Sequence, residues 1–102
     1  MNFYNNRGQA IAYLYEETIY LFTGKPVAYI YNSSIYGFNG HHLGWFENGW
    51  ILDNKSKYKY YSENSIGGPA KPTRHATPVK YARHARPAKY AKTLCWSNKE
   101  IW

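Results

Sequence analysis

Apolar, aromatic and small residues recur every sixteen positions along the first 66 residues of the chain. One phase of this repeat holds small turn residues: Gly8, Gly24, Gly40 and Ser56. Two adjacent phases hold mostly aliphatic and small residues: Ile11, Val27, Leu43 and Lys59, then Ala12, Ala28, Gly44 and Tyr60. A further phase holds rings: Tyr13, Tyr29, Trp45 and Tyr61. Ile19, Ile35 and Ile51 recur at the same interval. The fourth copy is the most degenerate, as terminal units of repeat proteins often are.

Each sixteen-residue unit has the composition of two short strands and two turns. Asn39-Gly40 is a strong hairpin signal, and Gly8 and Gly24 occupy the same phase. The second turn is expected at Glu16-Glu17, Asn32-Ser33-Ser34 and Asn48-Gly49. Between the turns, Tyr, Ile, Val, Phe and Trp suit pleated, half-buried strands. The pattern predicts an all-β domain of four hairpins with pseudo-four-fold symmetry, closed or arranged radially so that no strand edge stays exposed.

Residues 70–93 follow a different period, of three, with Ala favoured first, Lys or Arg second, and Pro, His, Tyr or Thr third. A three-residue period matches polyproline II, whereas prolines at positions 72, 78 and 87 would interrupt an α-helix. We therefore predict an extended, basic strap. If the strap packs on the domain through its alanines, they should be more buried than the bases. The comparison sets Ala76, Ala82, Ala85, Ala88 and Ala91 against Lys80, Arg83, Arg86 and Lys89.

The whole net charge of +7 lies after residue 66, because the first 66 residues hold five bases and five acids. Such asymmetry favours an anionic partner: single-stranded nucleic acid, another polyanion, or an acidic protein. The candidate contacts are Lys71, Arg74, Lys80, Arg83, Arg86, Lys89 and Lys92, with Tyr81 and Tyr90 as stacking residues. The alternative is a structural strap that supports the fold or a homo-oligomer, with its alanines on the aromatic surface and its charges in water.

The expected organisation is a hairpin domain over 1–66, a Gly/Pro hinge at 67–69, the strap over 70–93, and a C-terminal anchor over 94–102 that contains Trp96. Cys95 is the single cysteine, so an intramolecular disulfide is excluded. Neither a secretory signal nor a membrane-spanning apolar run is recognisable, and a cytoplasmic location is the expectation.

Residues that could support catalysis do not form a known arrangement. Cys95 has no histidine at motif spacing, and Glu16-Glu17 falls at a turn phase. His41 and His42 would point to opposite faces of a strand, so we interpret them as a solvent-exposed turn pair. His75 and His84 would lie about 28 Å apart on polyproline II. We therefore expect no catalytic residues, no metal site and no cofactor, and predict that the protein is not an enzyme.

An aromatic groove is a further alternative. The stretch Gly44-Trp45-Phe46-Glu47-Asn48-Gly49-Trp50 is similar to the hairpin repeats of choline- and glucan-binding modules. With Tyr13, Tyr29 and Tyr61 it could line a groove for sugar or choline groups. Rings at a recurring repeat phase also suit a buried core.

Residues 20–97 resemble the 4-fold β-flower family of uncharacterised bacterial proteins. The matching stretches are Gly24-Lys25-Pro26-Val27-Ala28-Tyr29-Ile30, Gly44-Trp45-Phe46 with Gly49, Gly67-Gly68-Pro69-Ala70-Lys71-Pro72, and Leu94-Cys95-Trp96-Ser97. Tyr81 and Tyr90 depart from the smaller residues of the family's tail. The resemblance implies a four-hairpin fold and implies no activity.

Overall fold

The computed structural model describes residues 1–86 and contains eight antiparallel strands. Their bounds are β1 Asn2–Tyr4, β2 Ala10–Tyr15, β3 Thr18–Leu21, β4 Pro26–Tyr31, β5 Ser34–Tyr36, β6 His42–Glu47, β7 Trp50–Asp53 and β8 Tyr58–Ser62. Each strand pairs with the next along the chain, and β8 pairs with β1 to close a barrel. The predicted all-β fold of four hairpin units is confirmed. Lys89, Tyr90, Lys92, Cys95 and Trp96 lie outside the described residues.

The turns repeat with the sequence. Gly8, Gly24, Gly40 and Ser56 have φ angles of 79°, 98°, 88° and 62°. Each donates its backbone N–H to the carbonyl three residues earlier, at 2.9–3.0 Å. At the other end of the barrel, two-residue turns with positive φ at both positions lie at Glu16-Glu17, Asn32-Ser33 and Asn48-Gly49. These turns fall at the predicted positions, except that Ser34 begins β5 instead of completing a turn.

A register shift occurs once in every unit, at the same phase of the repeat. The four shifts lie at Phe3/Tyr4, Ile19/Tyr20, Ile35/Tyr36 and Ile51/Leu52. A bulge bends its strand and increases the local twist. Four equally spaced bends explain how strands of only three to six residues close around one axis.

Both faces of the barrel wall pack against other groups. Alternation along the strands turns Phe3, Ala12 and Ile19 inward, where they form one buried cluster with Ala28 and Ile35. Their neighbours point outward and form stacked ring pairs between adjacent strands. The centroids are 5.3 Å apart for Tyr4–Tyr61, 5.7 Å for Tyr13–Tyr20 and 5.6 Å for Tyr29–Tyr36. Outward tyrosines that are nonetheless buried, such as Tyr13 and Tyr61, need a covering layer.

Candidate functional site

The strap provides that covering layer, beginning at the fourth unit. The indole Nε1 of Trp50 donates to the carbonyl of Gly67 at 3.1 Å, and the Tyr61 hydroxyl donates to the carbonyl of Pro72 at 2.9 Å. A Cβ placed on Gly68 would lie 2.9 Å from ring atoms of Trp50 and Tyr58. Gly68 therefore packs directly on the rings of the outer face of the barrel.

Backbone hydrogen bonds then hold the strap to the first two units. His75 donates its backbone N–H to the carbonyl of Gly8 at 2.9 Å, and His84 donates to that of Gly24 at 2.8 Å. Between them, Tyr81 donates to the carbonyl of Phe22 at 2.9 Å. Residues 70–86 contain neither helix nor strand, which agrees with the extended segment that the sequence predicts.

The two equivalent bonds show that nine residues of strap correspond to sixteen residues of barrel. The strap sequence has this nine-residue repeat, because Lys71-Pro72-Thr73-Arg74-His75 is followed by Lys80-Tyr81-Ala82-Arg83-His84. The repeat is three triplets long, so the three-residue period alone did not reveal it. It is the sequence signal that could have placed one strap repeat on each barrel unit.

The basic residues of the strap lie over the outer rings. Arg83 has its guanidinium carbon 3.7 Å from the ring centroid of Tyr15, and Lys80 has its Nζ 4.5 Å from that of Tyr13. Two further pairs are longer: Arg74 over Tyr4 at 5.6 Å and Lys71 over Trp50 at 5.8 Å. Each distance lies within the range of cation–π attraction.

Arg86 contacts the barrel by hydrogen bonds. Its Nη1 donates to the Thr18 hydroxyl at 3.3 Å and to the Glu16 carbonyl at 3.4 Å. The five described bases thus all touch the domain, in chain order.

This arrangement corrects the prediction that alanines form the packed edge of the strap. Ala76, Ala82 and Ala85 are exposed and form no buried edge. Lys80, Arg83 and Arg86 are exposed as well. Lys80 and Arg83 nevertheless lie over rings of the barrel. Ala88 and Ala91 lie outside the described residues. The physical reason is the small apolar area of a methyl group. Lys and Arg side chains cover a ring with a long stem and add cation–π attraction, while their charged ends stay hydrated.

The rings and the cations influence each other's ionisation. Burial raises the pKa of the Tyr61 hydroxyl, and the positive charge of Arg74 opposes that shift. Tyr13, with smaller contributions from Tyr15 and Tyr20, raises the pKa of the Arg83 guanidinium. Arg83 therefore keeps its charge over the rings.

Tyr81 differs from the outer tyrosines of the barrel because its side chain is 67% exposed. The structure thus brings together five of the predicted polyanion contacts and leaves one predicted stacking ring open to solvent. The remaining predicted contacts, Lys89, Lys92 and Tyr90, lie outside the described residues.

The two adjacent histidines have different surroundings. His41 is an exposed turn residue whose Nδ1 lies 3.3 Å from Nδ2 of Asn39, as expected. His42 is half-buried in β6, with its ring centroid 4.7 Å from that of Trp45, so its interpretation as an exposed turn residue is wrong. The bulge at Leu43, directly after His42, sets the register that places His42 opposite Tyr36 in the outer aromatic layer. Residues 1–86 contain no group of three metal-ligating side chains.

The aromatic-groove interpretation does not fit the described rings of Tyr13 and Tyr61, which are 2% and 4% exposed. The chain's own strap occupies the faces that a sugar or a choline group would need.

Four equivalent hairpins around one axis, with a triplet-patterned strap on their outer rings, define the architecture. The family model for the 4-fold beta flower protein matches residues 1–101. The chain belongs to this beta flower family. The function of the family is unknown. No curated protein and no solved structure matches the chain. Within residues 1–86, no helix has the length and apolarity that a membrane crossing requires.

Proposed function

We propose that this beta flower protein is a non-catalytic binding module for polyanions, with the strap as its contact surface. The observation that supports this most is the line of five described bases, Lys71 to Arg86, uninterrupted by any acidic residue. All five contact the outer face of a barrel whose own charges sum to zero. Among polyanions we propose single-stranded nucleic acid in the cytoplasm. The exposed ring of Tyr81 supports this choice, because bases stack on exposed aromatic rings.

Preorganisation distinguishes this surface from a free basic tail. The rings and backbone hydrogen bonds already hold the cations in a row, so a polyanion would not have to order the strap. The ring contacts leave the charge in place. Binding should follow counterion release and should show little preference for nucleotide sequence.

The test is fluorescence anisotropy with a labelled single-stranded oligonucleotide, over a salt series and with heparin as competitor. We expect the double variant Lys80→Gln/Arg83→Gln to weaken binding and to reduce the salt slope by about 1.4, about 0.7 per lost phosphate contact. The control Lys55→Gln/Lys57→Gln removes the same charge from an exposed turn and should leave most of the slope unchanged.

A separate variant, Tyr81→Ala, should weaken binding of the oligonucleotide by about 1–3 kcal/mol and leave binding of heparin unchanged. Equal effects of both double variants would contradict the strap as the contact surface. If the partner is instead an acidic protein, this chain should form a complex with it that the oligonucleotide does not dissociate.

A structural role for the strap is the second candidate. A Cβ on Gly8 would lie 2.1 Å from the carbonyl oxygen of Thr73, and one on Gly24 would lie 2.0 Å from that of Ala82. This close fit favours a strap that completes the fold. Two results together would favour this structural role over the binding function: Lys80→Gln/Arg83→Gln lowers the melting temperature, and the parent chain binds no polyanion at low salt.

A further inference from the structure

The interior of the barrel contains an apolar cavity of about 360 Å³. Its wall includes Ala12, Ala28 and Gly44, which are the small residues of one repeat phase, and Tyr60 holds that phase in the fourth unit. The small side chains of Ala12 and Ala28 leave a space in the middle of the barrel that larger ones would fill. At Gly44 a Cβ would overlap the backbone carbonyl of Leu52, so this position excludes a side chain altogether. The cavity is therefore a consequence of the repeat itself.

The lining residues place the cavity toward one end of the barrel. Phe3 is fully buried and packs edge-on against Phe46, with centroids 6.0 Å apart, and neither ring lines the cavity. Leu21 and Asp53 do line the cavity. They begin the turns that contain Gly24 and Ser56, which are longer than the two-residue turns at the other end of the barrel. The exposed side chain of Leu43, 47% accessible, lies in the same wall and marks the open side.

A polar pocket adjoins the apolar one and shares Lys59 and Tyr60 with it. Its lining also includes Asn5, Asn6, Arg7 and Tyr58, and Ile11 is a third residue common to both pockets. Lys59 occupies the phase at which the other three units carry aliphatic side chains. Its Nζ lies 5.8 Å from the ring centroid of Tyr60, and both cations are exposed. Asp53 also lines the cavity, and the charge of Lys59 adds to the backbone hydrogen bonds that lower the pKa of its carboxyl. The rim of the two pockets therefore carries two cations, Lys59 and Arg7, and one carboxylate, so cations outnumber acids there.

We propose that the barrel interior binds a single-chain amphiphile with an anionic head, a medium-chain alkyl carboxylate. The alkyl chain would occupy the apolar cavity, whose volume lies within the roughly 300–1,000 Å³ of small-molecule sites. The carboxylate would accept hydrogen bonds from Lys59 and Arg7 at the rim. This site is separate from the strap and does not depend on polyanion binding.

Calorimetric titration of the full chain with four ligands below their micellar concentrations tests the proposal. The ligands are decanoate, dodecanoate, dodecan-1-ol and dodecyltrimethylammonium. We expect dodecanoate to bind about fifteenfold tighter than decanoate, because two more methylenes are buried. We expect the alcohol to bind more weakly than dodecanoate, and the cationic ligand to bind least.

Four charge variants then locate the site. Lys59→Gln/Arg7→Gln should weaken dodecanoate about tenfold or more, as for a lost charge-assisted hydrogen bond, and change dodecan-1-ol less than about twofold. Leu43→Asp should reverse the preference, so that dodecyltrimethylammonium binds tighter than dodecanoate. Lys25→Gln occupies the equivalent turn of the second unit, and Lys80→Gln lies in the strap; both should retain the parent affinity.

The absence of saturable dodecanoate binding, or equal weakening by Lys25→Gln, would overturn the proposal. The proposal would also be overturned if the protein bound phosphatidylglycerol vesicles but not free dodecanoate, because that result would indicate attraction to an anionic surface. Lys80→Gln should weaken oligonucleotide binding and leave dodecanoate binding unchanged, because the two sites are separate; a parallel loss of dodecanoate affinity would contradict the proposal.

Discussion

The four equivalent turn residues Gly8, Gly24, Gly40 and Ser56, at the end of the barrel with the longer turns, differ in their surroundings. Gly8 and Gly24 are buried beneath strap carbonyls, whereas Ser56 has the same kind of positive φ and is exposed. The turn itself therefore accepts a side chain. Glycine is required where the strap crosses, because a Cβ there would overlap the strap backbone. The substitution of Ser for Gly in the fourth unit follows from the path of the strap.

Replacement of the second-unit glycine measures the strap contact. Gly24→Ala should lower the free energy of unfolding by about 2–3 kcal/mol, from positive-φ strain and from the displaced strap with its lost His84 hydrogen bond. Gly67→Ala is the control, because Gly67 has φ of 69° with no atom within 4 Å of a Cβ, and should cost about 1 kcal/mol. Urea unfolding followed by tryptophan fluorescence gives both values. Equal costs would contradict the close approach of the strap.

The turn of the fourth unit depends on a carboxylate. Asp53 Oδ1 accepts the backbone N–H groups of Lys55 at 2.9 Å and Lys57 at 3.0 Å. These hydrogen bonds, with smaller contributions from nearby lysine charges, lower the pKa of Asp53 against a small opposing effect of burial. Asn5 makes the equivalent contacts in the first unit, to Arg7 and Gln9.

Acid should therefore weaken this turn. The contribution of Asp53 to stability is present above its unfolded pKa of about 4, and it is lost as the pH falls through the lowered folded value. Asp53→Asn retains the acceptor, as in the first unit, and removes the titration. We expect the variant to lose less stability than the parent between pH 7 and pH 3 in urea unfolding. An identical acid dependence would show that Asp53 is not the group responsible.

At the scale of elements, the strap and the barrel form one packed unit. The barrel wall has rings on its outer face, and the strap covers them with cations and donates backbone N–H groups to the barrel. The described part of the strap contains no helix or strand, so its backbone groups depend on the barrel or on water for hydrogen bonds. The outer rings of the barrel, such as Tyr13 and Tyr61, are buried with the strap over them. The strap is thus part of the fold, in addition to any role in binding.

Tyr61 tests this junction in alkaline solution. Its raised pKa means that the stability it contributes is complete below about pH 10 and is lost as the pH rises through the higher folded value. Tyr61→Phe should cost about 1 kcal/mol at pH 7 by removing the bond to the Pro72 carbonyl. It should also make the loss of stability above pH 10 shallower. Tyr31→Phe, at a side chain that is 61% exposed, should change neither. A variant as alkali-sensitive as the parent would contradict the assignment.

At the scale of the whole molecule, two surfaces of different chemistry lie on one small fold. The outer face of the barrel carries the basic strap, and the end with the longer turns opens to an apolar cavity with charged residues at its rim. The repeat explains both features. Its ring phase faces outward toward the strap, and its small-residue phase faces inward toward the cavity.

The local order of the chain was readable from its sequence. The sixteen-residue phase predicted equivalent turns at Gly8, Gly24, Gly40 and Ser56, because turn chemistry and strand alternation are local properties. The triplet pattern predicted an extended strap for the same reason, since its prolines exclude a helix. The separation of charge between barrel and strap also needed no structure.

Tertiary structure decided which groups meet. The nine-residue repeat of the strap acquires meaning only beside the spacing of Gly8 and Gly24 on the barrel, which brings His75 and His84 to equivalent carbonyls. Whether alanines or cations face the rings depends on the distance between two layers, and that distance is a property of the closed barrel. The cavity likewise required closure, because Ala12, Ala28 and Gly44 surround one space only when β8 pairs with β1.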